Sequence, residues 1–481
     1  MRPELERVLA SADLRGWREV GVEYGSGEIA LRVPPDCETL GMRETQPLAD
    51  PGRAIREALE RPIGSPPLPE IARGKGKDPA ALSACIATSD ITRPVPYRGQ
   101  AGILPPLLEE LHRAGVRREN VTLLVGTGTH RPSTPEEKVA MFGADVCGAY
   151  RIVDHDCDDE AGLRHLGRTR GGTDILVNRH WVDADLRIAT GLVESHFMAG
   201  VSGGRKTVCP ALVSRRTIER FHSADFLDSP RATNLVLEGN PCHEEALEIA
   251  RRVGVDFTVS TVLDRRLKLL GIYAGELELS HRAAYEQVRE IAAVPLAREY
   301  DVVLTHGGYV GLNHYQNVKA ACNALPAVRQ KGFVILLARE HDADPVGSQT
   351  YRTLLHLLKL QGWERYLATL RSPSWRFTRD QWEPQMWGKV LAKVGEEGLV
   401  YCSAVLPPRE AEIVPGRLGW EFLDPEAPGA EEDRARAMLQ NAVVACVHDP
   451  RWEGRRPSFA FVREGPYAVP VAAGGAAGAG A

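Results

Sequence analysis

Leu186-Arg187-Ile188-Ala189-Thr190-Gly191-Leu192-Val193-Glu194-Ser195-His196 leads, after a short apolar connection, into Ser202-Gly203-Gly204-Arg205-Lys206-Thr207. A short apolar run that breaks off into glycine and polar residues reads as a buried strand, ending where parallel sheets hold their ligands. Glycines let the backbone approach a ligand and offer its N–H groups to an anion. The segment adds His196, Lys206 and, a little further on, His222. Three chemically usable side chains beside a phosphate-holding type of turn point to a nucleotide that takes part in chemistry. Lys206 is not the lysine of a Walker A loop, because Arg205 separates it from Gly204 and breaks the required Gly-Lys register. The turn can still hold an anion on backbone N–H groups, with Arg205 as a planar phosphate partner. Lys206 is then left to point at the base end of the nucleotide. Alone, the same residues read as a glycine-rich turn with a solvated Arg–Lys pair. The surroundings decide.

The strand-then-loop pattern recurs in both directions. Ala84-Cys85-Ile86-Ala87 runs into Ser89-Asp90-Ile91-Thr92-Arg93-Pro94-Val95-Pro96, and Val121-Thr122-Leu123-Leu124-Val125 into Gly126-Thr127-Gly128-Thr129-His130. Asp301-Val302-Val303-Leu304 runs into Thr305-His306-Gly307-Gly308, and Phe333-Val334-Ile335-Leu336-Leu337-Ala338 is a further buried strand. Helical periodicity follows at 103–114 and 316–325. The expected fold is α/β: two α/β domains with mainly parallel sheets and crossover helices, and the active site in the cleft between them. Asp90, His130, His196 and His306 fall at strand ends, which argues against ordinary core histidines. The expected division is a cofactor-binding and catalytic domain over 1–276, rejoined by 455–470, and a second α/β domain over 277–454. The small-residue tail 471–481 is expected to be disordered.

Prolines on the loop after Asp90 fix an extended path, so Arg93 is held stiffly and suits a carboxylate or phosphate. His130, at the end of a glycine loop, is a candidate general base or acid. Gln316 and Lys319 share a helical face and can reach one ligand. Asp154, His155, Asp156, Asp158 and Asp159 could suggest a metal site, but they follow a strand-like run and read better as a solvated loop. A net charge of −5 gives no reason to expect nucleic acid or an anionic membrane as partner. Nine scattered cysteines without a C-x-x-C pair suit a reducing cytoplasm. No apolar run reaches the roughly 18 residues of a membrane span.

Taken together, these four loops resemble the lactate racemase family of nickel-pincer-nucleotide enzymes. The resemblance runs from about Tyr24 into the C-terminal half and is most specific in His196, Lys206 and His222 around SGGRK. It implies a racemase or epimerase that inverts Cα of a small-molecule 2-hydroxy acid by hydride transfer, through a 2-keto acid. The implied cofactor is pyridinium-3,5-bisthiocarboxylic acid mononucleotide nickel, covalently attached to Lys206 and delivered by cofactor-biosynthesis proteins. The family positions match His222 as the nickel ligand and His130 and His196 as the catalytic pair. Asp90, Arg93, Tyr315, Gln316 and Lys319 match the cofactor and substrate side; Thr92, Gly203, Gly204 and Arg205 match the phosphate cradle. Ser195, Met198 and Val201 stand where relatives commonly carry other residues, and His314 is unusual, so a larger 2-hydroxy acid or a sugar acid is as open as lactate. The alternatives are a nicotinamide-dependent 2-hydroxy acid dehydrogenase, for which no Gly-x-Gly-x-x-Gly unit fits well, and a non-catalytic nickel-nucleotide binding protein.

Overall fold

Two six-stranded sheets, each with its own core, organise the chain in a computed structural model that describes residues 3–472. One compact unit is formed by 44–291; the other joins the first 43 residues to those from 292 onward. In the 44–291 unit the strands Leu269–Gly275, Phe257–Leu263, Leu186–Leu192, Ala84–Ser89, Val121–Gly126 and Arg151–Asp154 lie side by side in that order. All neighbours are parallel except the first pair. The two central strands, ACIATS and LRIATGL, are buried almost throughout, as strands covered on both faces must be.

The order of visits places the site. From Ala84–Ser89 the chain steps outward to Val121–Gly126 and Arg151–Asp154, then returns to the other side with Leu186–Leu192 and Phe257–Leu263. Strand order therefore reverses between Ala84–Ser89 and Leu186–Leu192, and the carboxyl ends there form the crevice where open α/β sheets take ligands. The first crossover helix, Leu104–Arg113, buries Leu104, Leu107, Leu108 and Leu111, one stripe at helical spacing. Tyr97, on the proline-stiffened loop, clamps the two central strands: its hydroxyl accepts Ser89 N–H at 2.6 Å and meets Thr190 Oγ1 at 3.1 Å.

The second sheet is wholly parallel, in the order Arg417–Leu418, Leu399–Cys402, Val328–Leu337, Tyr300–His306, Phe459–Val462 and Glu38–Leu40. The α/β class and the mainly parallel sheets are as expected. The division of the chain is not. The hairpin Arg18–Tyr24 with Gly27–Val33 lays Val22, Ile29 and Leu31 into one cluster with Val302, Ile335 and Met438. Residues 1–43 thus belong with the C-terminal half, and Phe459–Val462 pairs there too, so 455–470 does not rejoin a 1–276 domain. The boundary lies near 291, not 276, because the helix Leu277–Ala292 packs on the first unit: Ser280 Oγ lies 2.5 Å from Thr258 Oγ1, and Tyr285 donates to Leu235 O at 2.9 Å. Of the expected tail, Val471 and Ala472 end the strand Val469–Ala472, paired with Ala293–Leu296; residues from 473 lie outside the described ones. Among the described residues no helix is long and apolar enough to cross a membrane.

Candidate active site

Three neighbouring strands deliver Asp90, His130 and His196 to one edge of the first sheet. Asp90 directly follows Ala84–Ser89 and is 5% exposed. Its Oδ1 accepts from Thr92 N at 3.1 Å and Thr92 Oγ1 at 2.5 Å; its Oδ2 lies 2.6 Å from His130 Nδ1. Burial pushes the Asp90 carboxyl up, but the hydrogen bond and charge of His130 and the Thr92 bonds outweigh it and leave the group below its ordinary value. An ionised Asp90 can only accept, so His130 carries its hydrogen on Nδ1 and its lone pair on Nε2. That is the arrangement of a general base held in its working tautomer by a carboxylate.

His196 sits on a two-rung hairpin in which Ser195 faces Val201 and His196 faces Gly200. Met198 N and Ala199 N donate to its Nδ1 at 3.2 and 3.3 Å, which places the ring hydrogen on Nε2. Nε2 lies 2.8 Å from Lys206 Nζ. Burial, with the positive charges of Arg93 and Arg205, pushes the Lys206 ammonium well below its ordinary value. That depression favours the amine, whose lone pair can accept the Nε2–H of His196. His222 caps the helix Arg215–Phe221, and its Nδ1 donates to Ile218 O at 3.0 Å, which leaves the lone pair on Nε2. Burial, reinforced by the charge of Lys206, pushes His222 down to about 3, so it stays a neutral imidazole. Lys206 Nζ stands 5.4 Å over the Phe221 ring, and that ring packs edge-on to His222 at 4.8 Å. His196, Lys206 and His222 therefore form one cluster.

Arg93 pairs with Glu194, a carboxylate from the opposite side of the strand-order reversal. At the glycine turn, Gly203 (φ +68°) and Gly204 (φ +53°) take left-handed backbone. A Cβ on Gly203 would meet Val193 Cγ2 at 2.8 Å, and one on Gly204 would meet His281 Cδ2 at 2.5 Å. Arg205 departs from expectation. It is 1% exposed, and its guanidinium is directed at Ala199 O and His281 instead of lying open as a phosphate partner. His306 also departs: it is fully buried with Nε2 on Arg463 O at 2.7 Å, an internal histidine. Of the acidic stretch, Asp154 ends the strand Arg151–Asp154 and pairs with Lys138, His155 is buried with Nε2 on Val213 O, and Asp156, Asp158 and Asp159 lie on an exposed loop, Asp158 paired to Arg215.

The sequence matches the Lactate racemase N-terminal domain over residues 24–234. It is 34% identical over 340 residues to the lactate racemase of Lactiplantibacillus plantarum, covering 70% of this chain and 77% of that one. The chain belongs to the lactate racemase family. The lactate racemase of Thermoanaerobacterium thermosaccharolyticum is likewise 34% identical over 70% of this chain and 76% of its own length. The solved lactate racemase apoprotein from that organism superposes with a TM-score of 0.80 at 26% identity, over 94% of this chain and all of that one. A structural-genomics protein from Thermotoga maritima shares the fold at a TM-score of 0.59 and 18% identity, over 86% of this chain and all of that one. The protein is an isomerase of the racemase type.

In the other unit, Tyr315, Gln316 and Lys319 stand on the helix His314–Ala324, N-capped by Asn313. Gln316 Oε1 accepts from Lys319 Nζ at 2.6 Å, as their spacing predicts. Tyr315 Oη accepts Trp382 Nε1–H at 3.0 Å. His314 is buried, stacked on Trp387 at 4.5 Å and bonded to Tyr351 Oη at 2.9 Å, so its unusual identity belongs to the core. Met198 and Val201 are buried as well. Sequence reasoning missed three neighbours: Glu194, Trp382 and Glu383, whose buried carboxyl is pushed up to about 8 by burial. Glu194 lay inside the quoted motif, but only the pairing of strand ends reveals Arg93 as its partner.

Proposed function

We propose that this racemase inverts Cα of a 2-hydroxy acid, lactate first among them, with a nickel-pincer nucleotide anchored on Lys206. The observation that carries the reading is the buried cluster of Lys206, whose ammonium burial disfavours, beside His196 and a neutral His222. These residues fit the group. Only an unprotonated amine can form the thioamide link, and only a neutral imidazole with a lone pair ligates nickel. The backbone N–H groups of the Gly203–Gly204 turn and the Thr92 hydroxyl suit the phosphate. When bound, the nucleotide supplies an acceptor for the Cα hydrogen that the side chains lack.

The chain's own residues handle the proton and the carboxylate. His130, with Nδ1–H held by Asp90, takes the substrate hydroxyl proton on Nε2. Were Lys206 held in a thioamide, its nitrogen would offer little lone pair to His196, and the Nε2–H would then be left to donate to the substrate oxygen. Two histidines delivered by different strands serve the two faces that inversion needs. Arg93, steadied by Glu194, takes the carboxylate and the developing charge. Cofactor-making enzymes are the partners, and nine free thiols suit the cytoplasm.

Intact mass and nickel content test the anchor, on protein co-expressed with the cofactor-making enzymes. Wild type carries the nucleotide mass on the Lys206 peptide, and Lys206→Ala carries none. A covalent adduct persisting in Lys206→Ala removes the assignment.

A further inference from the structure

Arg205, next in sequence to Lys206, lines a separate cavity of about 40 Å³ together with His243, His281, Arg282 and Glu278; His196, Lys206 and His222 do not line it. That volume holds about three or four water molecules at about 10–15 Å³ each. The polar balance around Arg205 is short of acceptors. A guanidinium presents five N–H groups, and here they meet Ala199 O, 2.7 Å from Nη2, and His281 Nε2, 3.0 Å from Nη1. The second acceptor is contested, because the same His281 nitrogen lies 2.9 Å from Ser202 O. One nitrogen cannot both accept from Arg205 and donate to a carbonyl. Among the described residues Arg205 Nε has no partner, and neither has the buried Nδ1 of His243.

The charges point the same way. Among the described residues Arg205 makes no ion pair, its hydrogen bonds going only to Ala199 and His281. Glu278 is bound by Arg251 through two hydrogen bonds of 2.5 Å, and Arg282 pairs with Glu238. Burial pushes His243 and His281 down to about 3, and the positive charges of Arg205 and Arg282 add to the push at both. A buried cation without a counter-ion is strongly disfavoured unless an anion joins it or it loses its proton.

We propose that this cavity binds a small inorganic anion of chloride size, held by the charge of the Arg205 guanidinium and by the ring N–H of His243. Such an anion balances Arg205 and spares His281 for Ser202. It also steadies Ala199, whose carbonyl receives Arg205 and whose N–H meets His196 Nδ1. The site is separate from the Lys206 cluster and fills with or without the nucleotide.

The test uses the full chain, without nucleotide, in chloride and in gluconate at equal ionic strength. Chloride raises Tm by about 2–4 °C and gives saturable broadening of the ³⁵Cl resonance that bromide competes away and phosphate does not. His243→Leu removes both effects. Equal Tm in the two salts with no saturable broadening in wild type overturns the proposal, as does a His243→Leu protein that keeps both. Competition by phosphate alone reassigns the cavity to the nucleotide's phosphate and also overturns it. The wild-type resonance and its competition decide the matter even if His243→Leu does not fold.

Discussion

At the scale of single residues, two side chains owe their working state to one neighbour each. Asp90 fixes the His130 tautomer through a 2.6 Å contact, so Asp90→Asn presents an amide that tolerates the wrong tautomer. We expect kcat to fall by about 10²–10⁴-fold with KM little changed, read by steady-state chiral assay; an unchanged kcat removes Asp90 from this role. Glu194 steadies Arg93, and Glu194→Gln weakens a charge-assisted bond, raising KM by roughly tenfold while kcat holds better. A KM equal to wild type contradicts it. His130, His196, Lys206 and His222 were legible in the sequence as candidates because reactive side chains near strand ends stand out from their apolar surroundings. The sequence hid the positioning contacts. Asp90 to His130 spans 40 positions and Arg93 to Glu194 spans 101, and no local pattern encodes such pairs. Arg205 was misjudged for a related reason: adjacent to a glycine turn it looks exposed, yet the 3-10 turn Gly204–Thr207 sends it inward.

At the scale of elements, the glycine turn joins strand to site by close packing. Gly204 at φ +53° has His281 Cδ2 2.5 Å from where a Cβ would sit. Gly204→Ala forces a left-handed backbone on an L-residue, at about 1–2 kcal/mol, and displaces the His281 ring as well. We expect a Tm lower by roughly 4 °C and loss of covalent loading, read by calorimetry and intact mass. An unaltered Tm contradicts the packing account. The strands and the helices at 103–114 and 316–325 were legible because burial writes itself as apolar runs and stripes; the structure gives Leu104–Arg113 and His314–Ala324. The two-rung hairpin at His196 was not, since strands that short leave no periodicity to read.

At the scale of the whole molecule, what sequence could not supply was which segments share a core. Residues 3–43 lie far in sequence from the sheet they complete, and the shared core and the pairing of Glu38–Leu40 with Phe459–Val462 reveal it. Buried histidines make stability depend on pH. His243, His281 and His314 are each pushed down to about 3 by burial, while in the unfolded chain they take a proton near 6.5. The unfolded state then binds more protons between those values, so their contribution is complete above about pH 6.5 and is lost as pH falls toward 3. Buried Glu383 and Glu340, pushed up to about 8 and about 7, work the other way, so thermal melts should rise slightly from pH 8 to 7 and fall from 6.5 to 5, where the buried histidines outnumber them; a profile without that fall contradicts the burial of neutral imidazoles. The central claim is stereoinversion at Cα with the nucleotide as hydrogen acceptor. Its most direct test incubates cofactor-loaded enzyme with one enantiomer of Cα-deuterated lactate, and of larger 2-hydroxy acids, and follows chirality and isotope by chiral mass spectrometry. The account predicts the opposite enantiomer with deuterium retained; no inversion of any substrate, or inversion with deuterium lost to solvent, contradicts it.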